Sequence, residues 1–204
     1  MKSIIYLTNN KNTLELYRWL KQKVCVHLFS DKLTLDQAVR LNPDLIISYN
    51  YRYLISSDVI AYMDGRMINL HCSCLPWNRG ADPNFWSFYD HTPKGVTIHQ
   101  ISEKLDRGKI LYQKECFFYP ENETFATTYC KLHNEMDELL KMHWEDILSG
   151  SYELYDQPGS GSYHSSNDLK RIREYVDFQW TDNIQEILGR ISERQNDIHT
   201  DRRE

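Results

Sequence analysis

Short, wholly apolar runs alternate with amphipathic stretches along the first seventy residues. "SIIYL" (3–7), "VCVHLF" (24–29), "DLIISY" (44–49) and "RMINL" (66–70) read as buried strands. Between them, residues 12–22 place Leu14, Tyr17 and Leu20 on one helical face. Residues 34–42 form a second helix, with Thr34 as N-cap and Pro43 as stop, and residues 56–63 a third. Strands buried on both faces and separated by helices predict an α/β protein. Its core is a Rossmann-like, doubly wound, mostly parallel sheet.

The pattern changes after residue 80. "DPNFWSFYD" (82–90) predicts a helix capped by Asp82 with Pro83 at its first position. Residues 94–102 and 108–119 alternate in the manner of strands around a charged turn, an antiparallel or mixed extension of the sheet. Residues 123–148 carry the longest helical pattern, ended by Gly150. From 156 to 170 the chain is rich in Gly, Ser and Pro and predicts a loop. Two short helices are expected near 168–177 and 182–193, and the polar stretch 192–204 is expected to fray. The organisation expected is a catalytic domain over 1–150 and a C-terminal loop with short helices, 151–204, packed on it.

Composition narrows the function. The 204 residues carry a formal charge of −5, so no global basic field attracts nucleic acid or anionic lipid. The apolar start of "MKSIIYLTNN" is too short for a signal-peptide core, and no window approaches the roughly 20 apolar residues of a membrane span. Five irregularly spaced cysteines fit free thiols in a reducing cytoplasm. Neither a dinucleotide nor a Walker glycine motif is present, and the first turn, "LTNNKN", is no phosphate cradle.

The densest candidate chemistry is "INLHCSCLPWNRG" (68–80). His71, Cys72 and Cys74 are metal-ligand types, but C-x-C at a strand end suits one ion poorly and a distal pair is missing. Cys72 as a nucleophile would need His71, which an extended strand points the other way. Cysteine as a small apolar residue is the simpler reading. Asn69 and His71, two apart, project to one face where a strand meets a loop. With Asp106 of "EKLDRG" as partner they would suit acyl transfer, the alternative being a structural Asn and His.

"NLHCSCLPWNRGADPNFW" followed by "KGVTIHQISEKLDRGKILYQ" resembles the N10-formyltetrahydrofolate-dependent formyltransferases. The pattern stands here as Asn69, His71, Ser73, Leu75, Pro76 and Gly80, then Gly95 to His99, then Leu105, Asp106, Gly108 and Ile110, within residues 44–118. The resemblance implies that Asn69, His71 and Asp106 are catalytic and that N10-formyltetrahydrofolate is the co-substrate, with no metal. It places the folate beside Asp106 and the segment Tyr49, Tyr51, Arg52, Tyr53 and Leu54.

The tail segment Gly161, Tyr163, His164, Asp168 and Leu169 looks like the nucleotide-sugar branch of that family. The implied acceptor is an amino-dideoxy sugar on a nucleoside diphosphate. A dTDP-linked 4-amino-4,6-dideoxyglucose leads, for O-antigen or other surface polysaccharide, including lipopolysaccharide. A 3-amino sugar nucleotide, methionyl-tRNA, glycinamide ribonucleotide, or a non-catalytic nucleotide-sugar or folate binder are the alternatives. Trp77, Arg79, Asp82, Tyr163 and His164 are candidate acceptor contacts, Arg79 for a phosphate and Trp77 for stacking. A soluble cytoplasmic enzyme is expected, with no nucleic-acid or membrane partner, dimerising if at all through the tail helices or residues 117–125.

Overall fold

The computed structural model describes the backbone of residues 2–201 and the side chains through Asp197. Strands β1 (Ser3–Leu7), β2 (Cys25–Phe29), β3 (Leu45–Tyr49) and β4 (Met67–His71) alternate with helices α1 (Leu14–Leu20), α2 (Leu35–Leu41) and α3 (Ser57–Met63). Thr34 caps α2 in a reciprocal capping box with Gln37. Next come a two-residue strand β5 (Arg79–Gly80), helix α4 (Pro83–Tyr89), and strands β6 (Lys94–Gln100) and β7 (Ile110–Cys116). The six long strands form one sheet in the order β2-β1-β3-β4-β6-β7. The first four are parallel, and β6 and β7 continue antiparallel.

Strand periodicity sorts the core into two layers. Ile4, Tyr6, Ile47, Tyr49, Ile68, Leu70, Val96 and Ile98 face one way. There they meet α5 (Phe125–Met142) and α6 (Trp144–Ser149). The inner face of α5 (Leu132, Met136, Leu139, Leu140) is 0–7% exposed, and truncating such a residue to Ala costs about 2–5 kcal/mol. On the other face Ile5, Leu7, Ile46 and Met67 pack against Ala38, Val59 and Met63 of α2 and α3. That apolar cover ends at β3. Further along, the same face carries Ser48, Asn69, His71, Thr97 and His99, polar positions in register across three strands.

Four expectations change. The helix expected over 123–148 breaks at His143, whose ring stacks on Tyr112 of β7 at 3.6 Å and holds its backbone out of helical geometry. Asp82 occupies the N-cap position of α4, but its backbone is left-handed and its side chain makes no cap bond. The segment 156–170 is not wholly loop: β8 (Tyr163–His164) pairs with β5, and α7 (Ser166–Arg173) begins within it. The last helix, α8, is not short, and it does not fray at 192. It runs Ile184–Asp201 because Ile184, Ile187 and Ile191 bury one stripe against Phe85, Phe125 and Phe178. Gln195 adds donors to the Tyr89 and Tyr175 hydroxyls. Residues 202–204 of the expected frayed end lie outside the described residues.

Candidate active site

Where the apolar cover of α2 and α3 stops, Ser48, Asn69, His71 and His99 of the polar row form the floor of a cleft of about 460 Å³. The loop 50–55 is one wall, residues 101–106 another, and residues 163–166 close over the side nearest Gly80 and Ala81.

Asn69, His71 and Asp106 converge on this floor, as the spacing and the resemblance imply. The Asn69 amide faces Asp106 Oδ1 at 3.3 Å and His99 Nε2 at 3.2 Å. A carboxylate only accepts, so the amide nitrogen must face it, and the side chain's orientation follows. His99 Nδ1 lies 2.7 Å from the Gln100 carbonyl, which also only accepts. A neutral His99 therefore carries its hydrogen on Nδ1 and takes the second Asn69 hydrogen at Nε2.

His71 sits between two acceptors. Its Nε2 is 3.0 Å from the Asn78 carbonyl, and its Nδ1 is 3.8 Å from Asp106 Oδ2. The Asn78 carbonyl only accepts, so Nε2 carries the hydrogen there, while Nδ1 stands beyond hydrogen-bond distance of the carboxylate. Asp106 is 7% exposed, and burial alone would raise its pKa. Positive charge on the His71 ring, the His99 ring when it is protonated and donates from Nε2, and the Gly80 N–H (2.8 Å to Oδ2) outweigh that and hold the carboxyl well below the usual carboxylate range. Its backbone is left-handed at φ 51°, a conformation that costs an L-residue roughly 1–2 kcal/mol, less for Asp than for most. A charged acceptor is thus fixed beside two imidazoles in a dry corner.

The candidate folate segment divides by strand parity. Tyr51, Arg52, Tyr53 and Leu54 line the cleft. Tyr51 Oη donates to the Asp31 carbonyl at 2.6 Å and accepts the Leu33 N–H at 2.8 Å, while Arg52 lies over the Tyr53 ring. Tyr49 does not reach the cleft. It is fully buried on the opposite face, against His133 of α5, because it alternates with Ser48, which does line the cleft.

The candidate acceptor residues divide too. Tyr163 and His164 line the cleft, with His164 stacked on Trp86 at 3.8 Å and paired to Asp90 at 2.6 Å. Trp77, Arg79 and Asp82 do not line it. Arg79 is 3% exposed, and its guanidinium is spent inside the protein on Gln157 Oε1 and the Ser160 carbonyl. Trp77 lies in the turn before β5 and Asp82 at the N-cap position of α4, outside the lining of the cleft.

The cysteine alternatives also resolve. Cys72 alternates with His71 into the apolar core beside Tyr49, and Cys74 is buried beside the Lys94 carbonyl. Burial pushes each thiol up to about 12, so neither is a nucleophile near neutrality. No three His, Cys, Asp or Glu side chains converge in a metal-binding group among the described residues. His99 closes the Gly95–His99 element of the pattern without being among the expected site residues, although its signal is in the sequence. In "KGVTIHQIS" it alternates with Val96 and Ile98, which places it on the face of Asn69.

An Asn–His–Asp constellation thus lies at the floor of an α/β cleft, and likeness to known proteins names the family. Residues 20–142 match the model of the formyl transferase family, more than half of the chain, and the chain belongs to that family. It is 31% identical over 131 residues to the dTDP-4-amino-4,6-dideoxyglucose formyltransferase of Mycobacterium bovis, covering 64% of this chain and 54% of that protein. It is 29% identical over 162 residues to the methionyl-tRNA formyltransferase of Bacillus mycoides, covering 79% of this chain and 50% of that protein. The chain thus spans about half the length of the curated relatives it matches.

Among solved structures it resembles the formyltransferase PseJ from Anoxybacillus kamchatkensis, captured with UDP-4,6-dideoxy-4-formamido-L-AltNAc and tetrahydrofolate. That likeness has a TM-score of 0.82 and 38% identity over 93% of this chain and 99% of that one.

Proposed function

We propose that this protein transfers the formyl group of N10-formyltetrahydrofolate to the 4-amine of a nucleotide-linked 4-amino-4,6-dideoxy sugar. The observation that carries the reading is the intact Asn69–His71–Asp106 set on the floor of the cleft. The likeness to PseJ runs almost end to end, so the first acceptor to test is the UDP-linked 4-amino-4,6-dideoxy-AltNAc. The dTDP-linked 4-amino-4,6-dideoxyglucose comes second. Both sugars present a 4-amine on a 6-deoxy ring. Folate lies along Tyr51–Leu54 and Asp106, and the sugar nucleotide toward Tyr163 and His164. The product serves surface polysaccharides, O-antigen among them, and the enzyme works in the cytoplasm, as a homodimer if its tail helices pair.

In the reaction the neutral amine attacks the formyl carbon on N10 and a new C–N bond forms. Asn69 donates to the oxyanion, and a protonated His71 donates through Nδ1, whose 3.8 Å approach to Asp106 leaves its hydrogen free, each such donor being worth about 2.7–4 kcal/mol in comparable sites. A formyl oxygen seated between them competes with His99 for an Asn69 hydrogen. The N10–carbon bond then breaks. Asp106 holds His71 and moves the ammonium proton toward N10, directly or through water, so tetrahydrofolate leaves.

Transfer to methionyl-tRNA is the weaker reading. A net charge of −5 gives the phosphate backbone little to bind. A pure binder has no need of all three site residues. Incubation with N10-formyltetrahydrofolate and a panel of nucleotide amino sugars is the test. Tetrahydrofolate release with one 4-amino sugar supports the proposal. Binding without release, or release as formate with no amine present, removes it.

A further inference from the structure

The segment between α6 and β8 crosses back over the catalytic turn and is tied down at every second or third residue. Tyr155 exchanges backbone bonds with Ile110 at 2.8 and 2.9 Å, beside the turn that carries Asp106. Gln157 Nε2 donates to the Asp106 carbonyl and to the Gly108 carbonyl, each at 2.8 Å. Its Oε1 accepts from Arg79 Nε and an Arg79 terminal nitrogen at 3.0 and 2.6 Å. Gly161 then passes so close to Pro76 that a Cβ there would lie 2.0 Å from its carbonyl oxygen. Tyr163 and His164 finally pair with Arg79 and Gly80, whose N–H holds the Asp106 carboxylate.

The Gln157 carboxamide uses two donors and two acceptor positions, its whole capacity. Its orientation cannot reverse, because a guanidinium only donates and carbonyls only accept. The two carbonyls it grips belong to the 106–107 and 108–109 peptides, so they fix the chain on the C-terminal side of the left-handed Asp106. Gly108 lies so close to the Gln100 carbonyl that a Cβ there would stand 1.7 Å from its oxygen, so this turn admits no side chain at that position. Neither Gln157 nor Arg79 lines the cleft. The Gln157 side chain reaches the chemistry through the main chain of Asp106 and Gly108.

We infer that Gln157, held by Arg79, is a positioning residue of the active site, setting the Asp106 carboxylate against His71 through the Asp106 and Gly108 carbonyls. The inference rests on the formyl-transfer reading for its kinetic arm only. Gln157→Glu separates the two duties of the side chain. It keeps acceptors for Arg79, so the strap stays attached, but has no hydrogens for the two carbonyls. Gln157→Ala removes both.

In the full-length protein, Gln157→Glu is expected to lower kcat on the order of tenfold or more with KM for folate and sugar nearly unchanged, as small misplacements of catalytic groups do. Its thermal midpoint should stay close to that of the wild type, whereas Gln157→Ala should lose both. The arm that needs no substrate is the 15N spectrum of the His71 imidazole, which should shift in Gln157→Glu. Near-normal kcat in either folded variant overturns the inference, and so does a loss that merely tracks the melting temperature. If Gln157→Glu does not fold, Arg79→Lys, which keeps the Gln157 hydrogens, takes its place. An unshifted His71 spectrum with normal kcat then overturns the proposal. A wild type that turns over no sugar removes the functional reading, while the His71 spectrum still decides this one.

Discussion

His71 Nδ1 stands 3.8 Å from Asp106 Oδ2 while its Nε2 is 3.0 Å from the Asn78 carbonyl, so the ring is held between a charged acceptor and a neutral one. Removing the charge and keeping the shape tests what the pair does. Asp106→Asn is expected to lower turnover by about 10²–10⁴-fold, the range of general acid–base groups, with the fold intact. Tetrahydrofolate release and circular dichroism on the same sample measure both. The folded carboxyl is depressed, and an unfolded Asp protonates near 3.9. Its contribution to stability is therefore full above about pH 4 and drains away at lower pH. Urea midpoints of the wild type and Asp106→Asn should differ most at neutral pH and converge in acid.

The cleft loop leans on a residue the chemistry does not touch. His133 Nε2 faces the Asn50 amide nitrogen at 3.3 Å and its Nδ1 meets Tyr49 Oη at 2.6 Å. Asn50 also donates to Tyr129, and the Asn9 N–H donates to the Asn50 carbonyl, so the turn after β1 and the loop after β3 are joined. Burial lowers the His133 pKa to about 4, which keeps the ring neutral and its Nε2 an acceptor. His133→Phe preserves the ring packing and deletes both nitrogens. We expect amide exchange of residues 51–54 to rise about tenfold and KM for folate to rise with that for the sugar unchanged. Exchange unchanged in the loop would refute the buttress.

Asp137 on α5 has a buried oxygen with no hydrogen-bond partner, and burial raises its pKa from 3.8 to about 6. A raised carboxyl takes up its proton more readily folded than unfolded, so this group destabilises the protein above about pH 6 and ceases to do so below about pH 4. Asp137→Asn should stabilise at pH 7.5 by about 1 kcal/mol, or roughly 2–4 °C in Tm. The advantage should vanish at pH 4. Scanning calorimetry at the two values decides it.

Cys72, Cys74 and Cys116 are buried with thiols pushed up to about 12, 12 and 11, whereas Cys25 and Cys130 are exposed. Iodoacetamide on the native enzyme should label Cys25 and Cys130 first and leave turnover unchanged. Peptide mapping with Cys72 modified early, together with loss of activity, would contradict the inert role.

Strand parity made most of the site legible. It aligned Asn69 with His71, sent Cys72 to the core, and, applied to β3 and β6, also separates Tyr49 from the cleft and adds His99 to it. Parity is local, so one strand suffices to read it. Arg79 was misjudged because its partners lie about eighty residues away, and nothing near it in sequence reveals that its donors are already engaged. The tail was underestimated for a similar reason. A segment rich in Gly, Ser and Pro reads as loop, yet its glycine lets it lie on Pro76 and its two-residue strand finds a partner only in three dimensions.

The ladder between Arg79–Gly80 and Tyr163–His164 also orders events in time. A ribosome delivers Asn69, His71 and Asp106 well before Gln157 and the strand that follows it. A chain that has not reached Gln157 therefore carries all three side chains without the clamp proposed to aim Asp106. On the positioning inferred for Gln157, the site is aimed only once a residue 51 positions beyond Asp106 is in place.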